Sequence, residues 1–298
     1  MRNKRIFSIQ GHDKNNSGDY ASNPFNYFEV PFEVERINLK EFFSMPLKEL
    51  DIFKNETLIF GGGGMLIFGK WLTYLAKIKG KGKYITWGIG HNRHHQSQIE
   101  HYPRYLETFD LNGIRDYCTK YRWVPCASCM SPLFEQPDTP QYDIVVYEHK
   151  DFPLNLSQFP RLDNAGKSFE EKVEFLATGA TIITNSYHGA YWGMLMGRKV
   201  LVLEPFSSKF MGLHPDITLA ERNEWPQALQ QLKTFPDYLA YCREANRNFH
   251  RLVVEILTQE TAYNRIKPYQ PTWQKQARLH AYRMRRKIVK RFESGRRL

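Results

Sequence analysis

Short apolar segments that alternate with helix-like stretches constrain the fold of this 298-residue chain more than any other feature. The strand-like segments cover residues 5–10, 55–60, 83–87, 143–147, 180–184 and 200–203. Apolar residues recur at helical spacing in residues 66–79, 169–177 and 189–196. Such alternation is typical of α/β layers built on parallel sheets. Because the pattern restarts after residues 137–140, we predict two domains, residues 1–136 and 141–264.

Glycines and polar residues follow several of these strand-like segments. They form the clusters Gly61–Gly64, Gly88–Gly90 and Thr184–Gly189. In open parallel sheets the ligand binds beyond the carboxyl ends of the strands. We therefore expect the functional site where these clusters meet.

The net charge of the chain is concentrated in its last segment. Lys and Arg number 42 and Asp and Glu number 31, which gives a formal net charge of +11. Residues 265–298 hold twelve basic residues and a single acid, Glu293, so the remaining residues sum to zero. This distribution excludes a globally basic nucleic-acid-binding protein and predicts a neutral body with a basic C-terminal segment.

The basic segment has an apolar stripe if it is helical. The stripe consists of Ala277, Ala281, Met284, Ile288 and Phe292, and basic residues cover most of the other positions. A helix of this kind binds anionic membrane surfaces through its bases and its apolar face. We therefore predict a basic amphipathic helix that contacts a membrane through residues 275–292. A solvated or disordered tail and an RNA-binding tail are the alternatives.

No apolar run approaches the roughly 20 residues that cross a bilayer. The basic residues 1–5 precede an apolar stretch that stops at Gln10, which indicates a first strand and not a secretory signal. We therefore expect a cytoplasmic protein, peripheral on the inner face of the cell membrane if the basic helix binds there.

Cysteine and histidine residues give no clear metal pattern. The pair Cys126 and Cys129 lacks the second ligand pair of a structural zinc site, so zinc, redox and buried-loop interpretations stay open. His91 and His95 are four residues apart, but no HExxH pattern accompanies them. We expect loop histidines and no metal.

Gly61–Gly64 lies between a strand-like segment and a helix-like one. Glycines at such a turn let backbone N–H groups approach an anion, so Gly62 and Gly63 are candidate cleft residues. A tight turn without a ligand is the alternative. The next residues, 64–70, nearly spell a P-loop, but Trp71 stands where Ser or Thr is needed, and we reject nucleoside triphosphate binding here.

Thr184–Gly189 is the densest candidate site. His188 is the side chain there that can exchange protons near neutral pH. Asn185 or Ser186 could instead cap the following helix. Lys209 comes after the next strand-like segment and could reach the same cleft.

The order of these motifs is informative. Along the chain come Gly18-Asp19, Gly61–Gly64, Gly88-Ile-Gly90, Ile114-Arg-Asp116, Thr184–Gly189 and Lys209. This succession, over roughly residues 5–215, resembles the polysaccharide pyruvyl transferase family. Other members carry an Arg-x-His-Gly or a Ser-Phe-His-Gly type of sequence in the second domain, and Ser186–Gly189 is of the latter type. Cys126–Cys129 stands where many members have an Asp-Pro sequence.

The resemblance implies an α/β fold with two Rossmann-like domains facing a cleft, as in GT-B glycosyltransferases. It implies phosphoenolpyruvate as donor, without a further cofactor, and a sugar diol as acceptor. The product is a pyruvate ketal on a bacterial exopolysaccharide or surface polysaccharide. The acceptor is often an oligosaccharide linked to polyprenyl diphosphate at the cytoplasmic face of the membrane.

Phosphoenolpyruvate carries a carboxylate and a phosphate, so its site needs cations. Arg115 matches the family's arginine after a first-domain strand, and its planar fork suits either group. Lys209 is the candidate point charge for the phosphate. Asn185 and Ser186 are assigned to the donor side as well.

His188 is the candidate acid or phosphate binder. Asp19 is the candidate base for the sugar hydroxyls, with an Asx turn as the alternative. Glu148 and His149, at the end of the strand-like segment 143–147, are candidate acceptor contacts.

Arg115 also has an alternative interpretation. It could form an ion pair with Asp116 or a neighbour at the surface. Residues 113–116 are predicted to start a helix whose first turn carries an acid.

Two other classes of function stay open. A GT-B-type glycosyltransferase would use a nucleotide sugar in the same kind of cleft. A non-catalytic scaffold of a polysaccharide assembly complex would need only the membrane-binding tail. A nucleic-acid-binding module is the weakest alternative, because the body is neutral and no base-stacking motif accompanies the tail.

Overall fold

The computed structural model describes residues 5–11, 16–67, 71–78, 80–95, 99, 102–117, 120–135 and 137–264. The basic segment 265–298 lies outside these residues, and so does the helix predicted there. Within the described residues, no helix is both long enough and apolar enough to cross a bilayer.

The first sheet has six parallel strands. They are β1 (Arg5–Gln10), β2 (Glu33–Asn38), β3 (Thr57–Gly61), β4 (Tyr84–Ile89), β5 (Leu111–Ile114) and β6 (Arg122–Trp123), in the order β2-β1-β3-β4-β5-β6. The α-helices between them are α1 (Ser17–Ala21), α2 (Leu39–Phe42) and α3 (Trp71–Ile78). Every residue of β3 and β4 is buried, as expected for central strands of a sheet covered on both faces.

The second sheet has five parallel strands. They are β7 (Tyr142–Glu148), β8 (Arg161–Asp163), β9 (Gly179–Thr184), β10 (Lys199–Leu203) and β11 (Thr218–Ala220), in the order β11-β10-β9-β7-β8. The α-helices that follow its strands are α4 (Phe169–Ala177), α5 (Tyr187–Leu195) and α6 (Trp225–Ala228). Short 3₁₀ turns connect elements in both halves, at Pro24–Asn26, Leu47–Phe53, Met65–Ile67, Arg104–Thr108, Ala127–Met130, Pro132–Phe134, Ser208–Phe210 and Leu229–Gln231.

The two sheets share one strand order, although the sequence shows no internal repeat. In each sheet, the first strand of that half lies between the second and the third strands in chain order, as β1 lies between β2 and β3 and β7 between β8 and β9. The order therefore reverses between β1 and β3 and again between β7 and β9. Ligands of open parallel sheets bind at such reversal points, so each half has one expected ligand position.

The long helix α7 (Tyr238–Asn264) joins the two halves. Its Cys242 is buried in the core of the second sheet. Further along, Phe249, Val253 and Leu257 pack in the core formed with Trp87 and other side chains of the first sheet. The same helix therefore contributes to both cores.

The prediction of an α/β fold with two parallel sheets is confirmed. The helix predicted at residues 113–116 is wrong, because Leu111–Ile114 is strand β5 and Arg115 follows it in a loop. A Cβ atom on Gly113 would lie 2.8 Å from the Phe249 ring and 2.9 Å from Val124, so the sheet here is covered closely by α7. The division into domains 1–136 and 141–264 stays a prediction.

Candidate active site between the two sheets

Loops at the carboxyl ends of the two sheets face each other. Helix α1 follows β1, and helix α5 follows β9. A Cβ atom placed on Gly18 of α1 would lie only 2.0 Å from Nδ1 of His188 on α5. Because any larger side chain would collide with the imidazole, residue 18 has to be glycine for helices α1 and α5 to approach this closely. We call this meeting point the junction.

Backbone hydrogen bonds fasten the two halves beside the junction. The N–H of His95 donates to the Phe206 carbonyl at 2.9 Å, and the N–H of Ser208 donates to the Arg93 carbonyl at 3.0 Å. The N–H of Tyr117 donates to the Gly212 carbonyl at 2.8 Å. The loop that carries Arg115 in the first half and the turn that carries Lys209 in the second are thereby held near each other.

Three buried cations surround the junction, and we call them the cation cluster. Arg115 is 3% exposed, Lys209 is 8% exposed and Lys172 is 0% exposed. The Arg115 guanidinium carbon lies 3.8 Å from the centroid of the Tyr187 ring, and Lys209 Nζ lies 4.3 Å from that of Phe206. None of the three forms a salt bridge with a carboxylate among the residues that the structure describes.

Lys172 links the two halves directly. It lies on α4 of the second half, and its Nζ donates to Ser17 Oγ of α1 and to the Asn164 carbonyl, both at 2.9 Å. Burial lowers its pKa, whereas the charges of Asp163 and Glu171 oppose that shift. A buried lysine held only by neutral acceptors is costly, because its charge is removed from water without a direct counter-ion.

The electrostatics of His188 follow from this environment. The imidazole is partly exposed, yet desolvation by the surrounding protein, followed by the charges of Arg115, Lys209 and Lys172, places its pKa well below the ordinary value. His188 is therefore neutral near pH 7 in the ligand-free protein. Burial also lowers the pKa of Lys209 to about 7, with Arg115 adding to the shift and Asp19 opposing it. The cation charges that contribute to both shifts give the junction a positive potential, which favours the arrival of an anion.

Arg115 does not pair at the surface. Asp116 is fully buried, and its Oδ2 accepts hydrogen bonds from the His91 N–H at 2.9 Å and from the Tyr102 hydroxyl at 3.1 Å. Burial raises the pKa of Asp116 to about 6, although the Arg115 charge works in the opposite direction. Asp116 thus anchors the loop, and Arg115 stacks on Tyr187.

Asp19 lies next to Gly18 at the junction. Asn16 donates to Asp19 Oδ2 at 2.7 Å, and Asn16 is also the side chain that caps α1. The glycine turn approaches the same carboxylate, since a Cβ atom on Gly63 would lie 3.4 Å from Asp19 Oδ1. Gly62 and Gly63 both have positive φ angles, 68° and 78°, which glycine adopts without strain. The glycine turn therefore lines the Asp19 side of the junction.

The remaining predicted residues hold the loop after β7. Asn185 Oδ1 accepts from the His149 N–H at 2.8 Å, and its Nδ2 donates to the Phe152 carbonyl at 2.7 Å. Glu148 binds Arg161 at 2.7 Å and accepts from the Leu154 N–H at 2.6 Å. With these partners, neither Asn185 nor Glu148 gains support as a ligand contact, and their predicted roles stay predictions.

Ser186 lies two residues before His188, and His149 contacts the same Phe206 ring as Lys209. Ser186 begins helix α5, but its hydroxyl makes no capping hydrogen bond. Burial and then the Lys209 charge lower the pKa of His149 to about 4, so this imidazole is neutral. Their roles as donor and acceptor contacts stay predictions.

Two residues near His188 were missed or left without a role by sequence reasoning. Lys172 occupies a position in the apolar stripe of α4, with Phe169, Val173 and Leu176 at helical spacing, and a cation at such a position is the signal that it is buried. Cys126 Sγ lies 3.8 Å from His188 Nε2. Among the described residues, no group of three or more His, Cys, Asp or Glu side chains is arranged to hold a metal ion.

Comparisons with known proteins do not identify a family. No protein-family model matches the chain, and no curated protein matches it. Its fold is similar to that of an uncharacterized protein from Klebsiella pneumoniae subsp. pneumoniae, with 17% sequence identity, a TM-score of 0.45, and coverage of 73% of this chain and 93% of that one. A likeness at this level identifies neither a family nor a function.

Proposed function

We propose that the protein is a pyruvyl transferase of the polysaccharide pyruvyl transferase type. It would move the enolpyruvyl group of phosphoenolpyruvate onto a sugar diol, forming a pyruvate ketal in bacterial exopolysaccharide or surface polysaccharide synthesis. The observation that supports this proposal is the cation cluster of Arg115, Lys172 and Lys209 around His188. The facing of two Rossmann-like domains across a cleft, as in GT-B enzymes, is part of the same proposal.

The chemistry of the donor suits the cluster. Phosphoenolpyruvate has two anionic groups on a small skeleton, so it needs several cations within a short distance. Arg115 offers a planar fork for the carboxylate, while Lys209 is a point charge for the phosphate. Because these cations are desolvated and have no salt-bridge partner in the described part of the chain, an anion gains more from them than it would from solvated surface charges.

His188 would change its protonation state with donor binding. The imidazole is neutral in the free protein because of burial and the nearby cations. A bound phosphate dianion would reverse the local charge and raise the pKa of His188. Binding of phosphoenolpyruvate would thus favour the protonated form of His188, which is the form that acts as an acid.

The reaction balances with the groups at the junction. C3 of the enolpyruvyl group takes a proton, and the oxygen of one sugar hydroxyl forms a bond to C2. The C2–O bond to phosphate then breaks, and the second hydroxyl closes the ketal on C2. Of the two hydroxyl protons, one compensates for the proton added at C3 and the other leaves with the phosphate. In this scheme Asp19 accepts hydroxyl protons, and His188 serves C3 or the departing phosphate.

Release of inorganic phosphate tests the proposal. The full chain is incubated with phosphoenolpyruvate and a panel of lipid-linked and synthetic glycosides, and we expect phosphate together with a ketal product for at least one glycoside. Arg115→Ala is expected to raise the KM for phosphoenolpyruvate.

If nucleotide sugars protect the protein against heat and phosphoenolpyruvate does not, the GT-B glycosyltransferase alternative is favoured, since the same cations would suit a diphosphate.

The place of the reaction is a separate part of the proposal. An acceptor linked to polyprenyl diphosphate would lie at the inner face of the cell membrane, where a basic helix at residues 275–292 would hold the enzyme. Flotation with anionic vesicles compares the full chain with a version that ends at Tyr263. Equal flotation of both proteins would remove the membrane contact from the proposal without affecting the reaction.

A further inference from the structure

A chain of three buried polar groups leads to His188. Helix α5 carries His188 and Trp192 one turn apart, with ring centroids 5.0 Å apart. Opposite them, Ser128 Oγ lies 3.0 Å from Trp192 Nε1 and 3.2 Å from Cys126 Sγ. Cys126 Sγ in turn lies 3.8 Å from His188 Nε2.

The inventory of donors and acceptors gives this chain a direction. The indole N–H of Trp192 can only donate, so Ser128 Oγ accepts from it. Ser128 is fully buried, and its own hydroxyl hydrogen therefore needs an acceptor. Within the described residues, Cys126 Sγ is the remaining side-chain partner of that hydroxyl, so Ser128 donates to the sulfur. The thiol hydrogen of Cys126 is then left for His188 Nε2.

We infer that Cys126 is a positioning residue that fixes the tautomer of His188, with Nε2 as acceptor and the proton on Nδ1. The hydrogen bond made by one ring nitrogen of a histidine decides which nitrogen carries the proton. Nδ1 is the nitrogen that faces Gly18 across the junction. The protonated nitrogen therefore points to where the two halves meet.

The backbone around Cys126 is held rigidly enough for this role. The hydroxyl of Tyr191 donates to the Cys126 carbonyl at 2.9 Å, and Asn246 on α7 donates to the Pro125 carbonyl at 3.1 Å. Arg243 on α7 donates to the Cys129 carbonyl at 2.9 Å. The thiol is thus aimed by contacts from two helices. This placement also gives Cys126 of the lone Cys-x-x-Cys pair a role that needs neither metal nor redox chemistry.

The tautomer has a consequence for ligand binding. A neutral imidazole with its N–H at the junction donates a hydrogen bond to an anionic oxygen without first taking up a proton. The tautomer follows from the contacts alone, whereas the identity of that oxygen, a phosphate or carboxylate of phosphoenolpyruvate, rests on the proposed function.

Long-range proton–nitrogen NMR of the full chain labelled with ¹⁵N-histidine reads the tautomer directly. The signals of His188 are assigned by their loss in His188→Gln. At a pH where the imidazole is neutral, we expect Nδ1 to be protonated and Nε2 to be of the acceptor type. Cys126→Ser keeps a donor at this position and should preserve the tautomer. Cys126→Ala should shift the population toward Nε2–H.

Cys129→Ala is the matched control, because this cysteine belongs to the same turn and accepts from Asn246 without reaching His188. It should leave the His188 signals unchanged. An Nε2–H tautomer in the wild-type protein would overturn the inference, and so would the wild-type tautomer in a folded Cys126→Ala protein. If Cys126→Ala does not fold, the wild-type and Cys126→Ser spectra still decide.

Titration of the same samples with phosphoenolpyruvate separates the two proposals. We expect binding about five-fold weaker in Cys126→Ala, as for the loss of one oriented hydrogen bond, and unchanged in Cys126→Ser. If phosphoenolpyruvate does not bind to the wild-type protein but the Nδ1–H tautomer is observed, the proposed function fails and the tautomer inference stands.

Discussion

The two halves of the molecule share a strand order but contribute different things to the junction. The first half brings close backbone approach, through Gly18 and the turn with Gly62 and Gly63, together with the side chains of Arg115 and Asp19. The second half brings ionisable side chains, His188, Lys209 and Lys172. Because the sheets have the same order, each half places its contribution at its own reversal point. One topology, used twice, thus builds a site in which the glycine backbone comes from the first half and two of the three cluster cations come from the second.

This comparison predicts that the largest loss comes from the side chains of the second half. His188→Ala should lower the rate of phosphate release by about a hundred-fold or more, as is typical for a lost acid–base group. The protein should stay folded, since the imidazole is partly exposed. His95→Asn is the control, because His95 is exposed and asparagine tolerates its positive φ of 59°. Near-normal turnover of His188→Ala would place the chemistry elsewhere.

The second-largest effect should come from filling the space that the first half provides. In Gly18→Ala the new methyl group collides with the imidazole, and overpacking of this kind costs about 2 kcal/mol. Activity should fall with stability, because His188 has to move. Gly166→Ala is the control for packing, since no atom lies within 4 Å of its added Cβ, and its only cost is the backbone strain of its φ of 66°. Equal melting temperatures of Gly18→Ala and wild type would show that the two loops do not meet so closely.

Parts of this division can be predicted from the sequence. Strand β1 and helix α4 have the bounds that the sequence pattern predicts, residues 5–10 and 169–177, because local periodicity decides them. The gathering of polar groups at strand ends is also predictable, since all parallel strands point the same way. Arg115 and Asp19 are thereby brought near the junction, as is His188.

Other features depend on contacts between segments that are far apart in the chain. Leu111–Ile114 has no strong strand pattern of its own, and its place between β4 and β6 decides its structure. The approach of Gly18 to His188 requires the relative position of the two sheets, which no local pattern contains. Helix α7 has apolar residues at Phe249, Val253 and Leu257, and this four-residue spacing, which is typical of a helix, is readable in the sequence.

Lys172 also tests the comparison, because it lies in the second half and donates to Ser17 in the first. Lys172→Met should weaken phosphoenolpyruvate binding by about ten-fold, the loss expected for a charged partner. The melting temperature of the free protein should change little or rise, because an apolar side chain replaces a buried charge. Lys167→Met, two residues before the same helix and exposed, is the control. A strong loss of stability with unchanged binding would make Lys172 purely structural.

The remaining effect expected is the pH dependence that Lys209 confers. Its pKa in the folded protein is about 7, below the ordinary value near 10.5, mainly because of burial. Above pH 7 the folded protein therefore holds fewer protons than the unfolded chain, so stability gains a contribution that grows as pH rises from about 7 to 10.5. Donor binding should show the opposite trend, because an anion binds the charged form of Lys209.

Calorimetric titrations with phosphoenolpyruvate between pH 7 and 9 measure this effect. The Kd should increase with pH by at most ten-fold per unit. In Lys209→Met the pH dependence of both stability and binding should disappear, and binding at pH 7 should be weaker than in the wild type. Lys199→Met, at the exposed start of β10, should keep both trends. If Lys209→Met retains the wild-type pH dependence, the titrating group is one of the other buried groups at the junction. The charge that the second half supplies to an anion is then carried by Lys172 and not by Lys209.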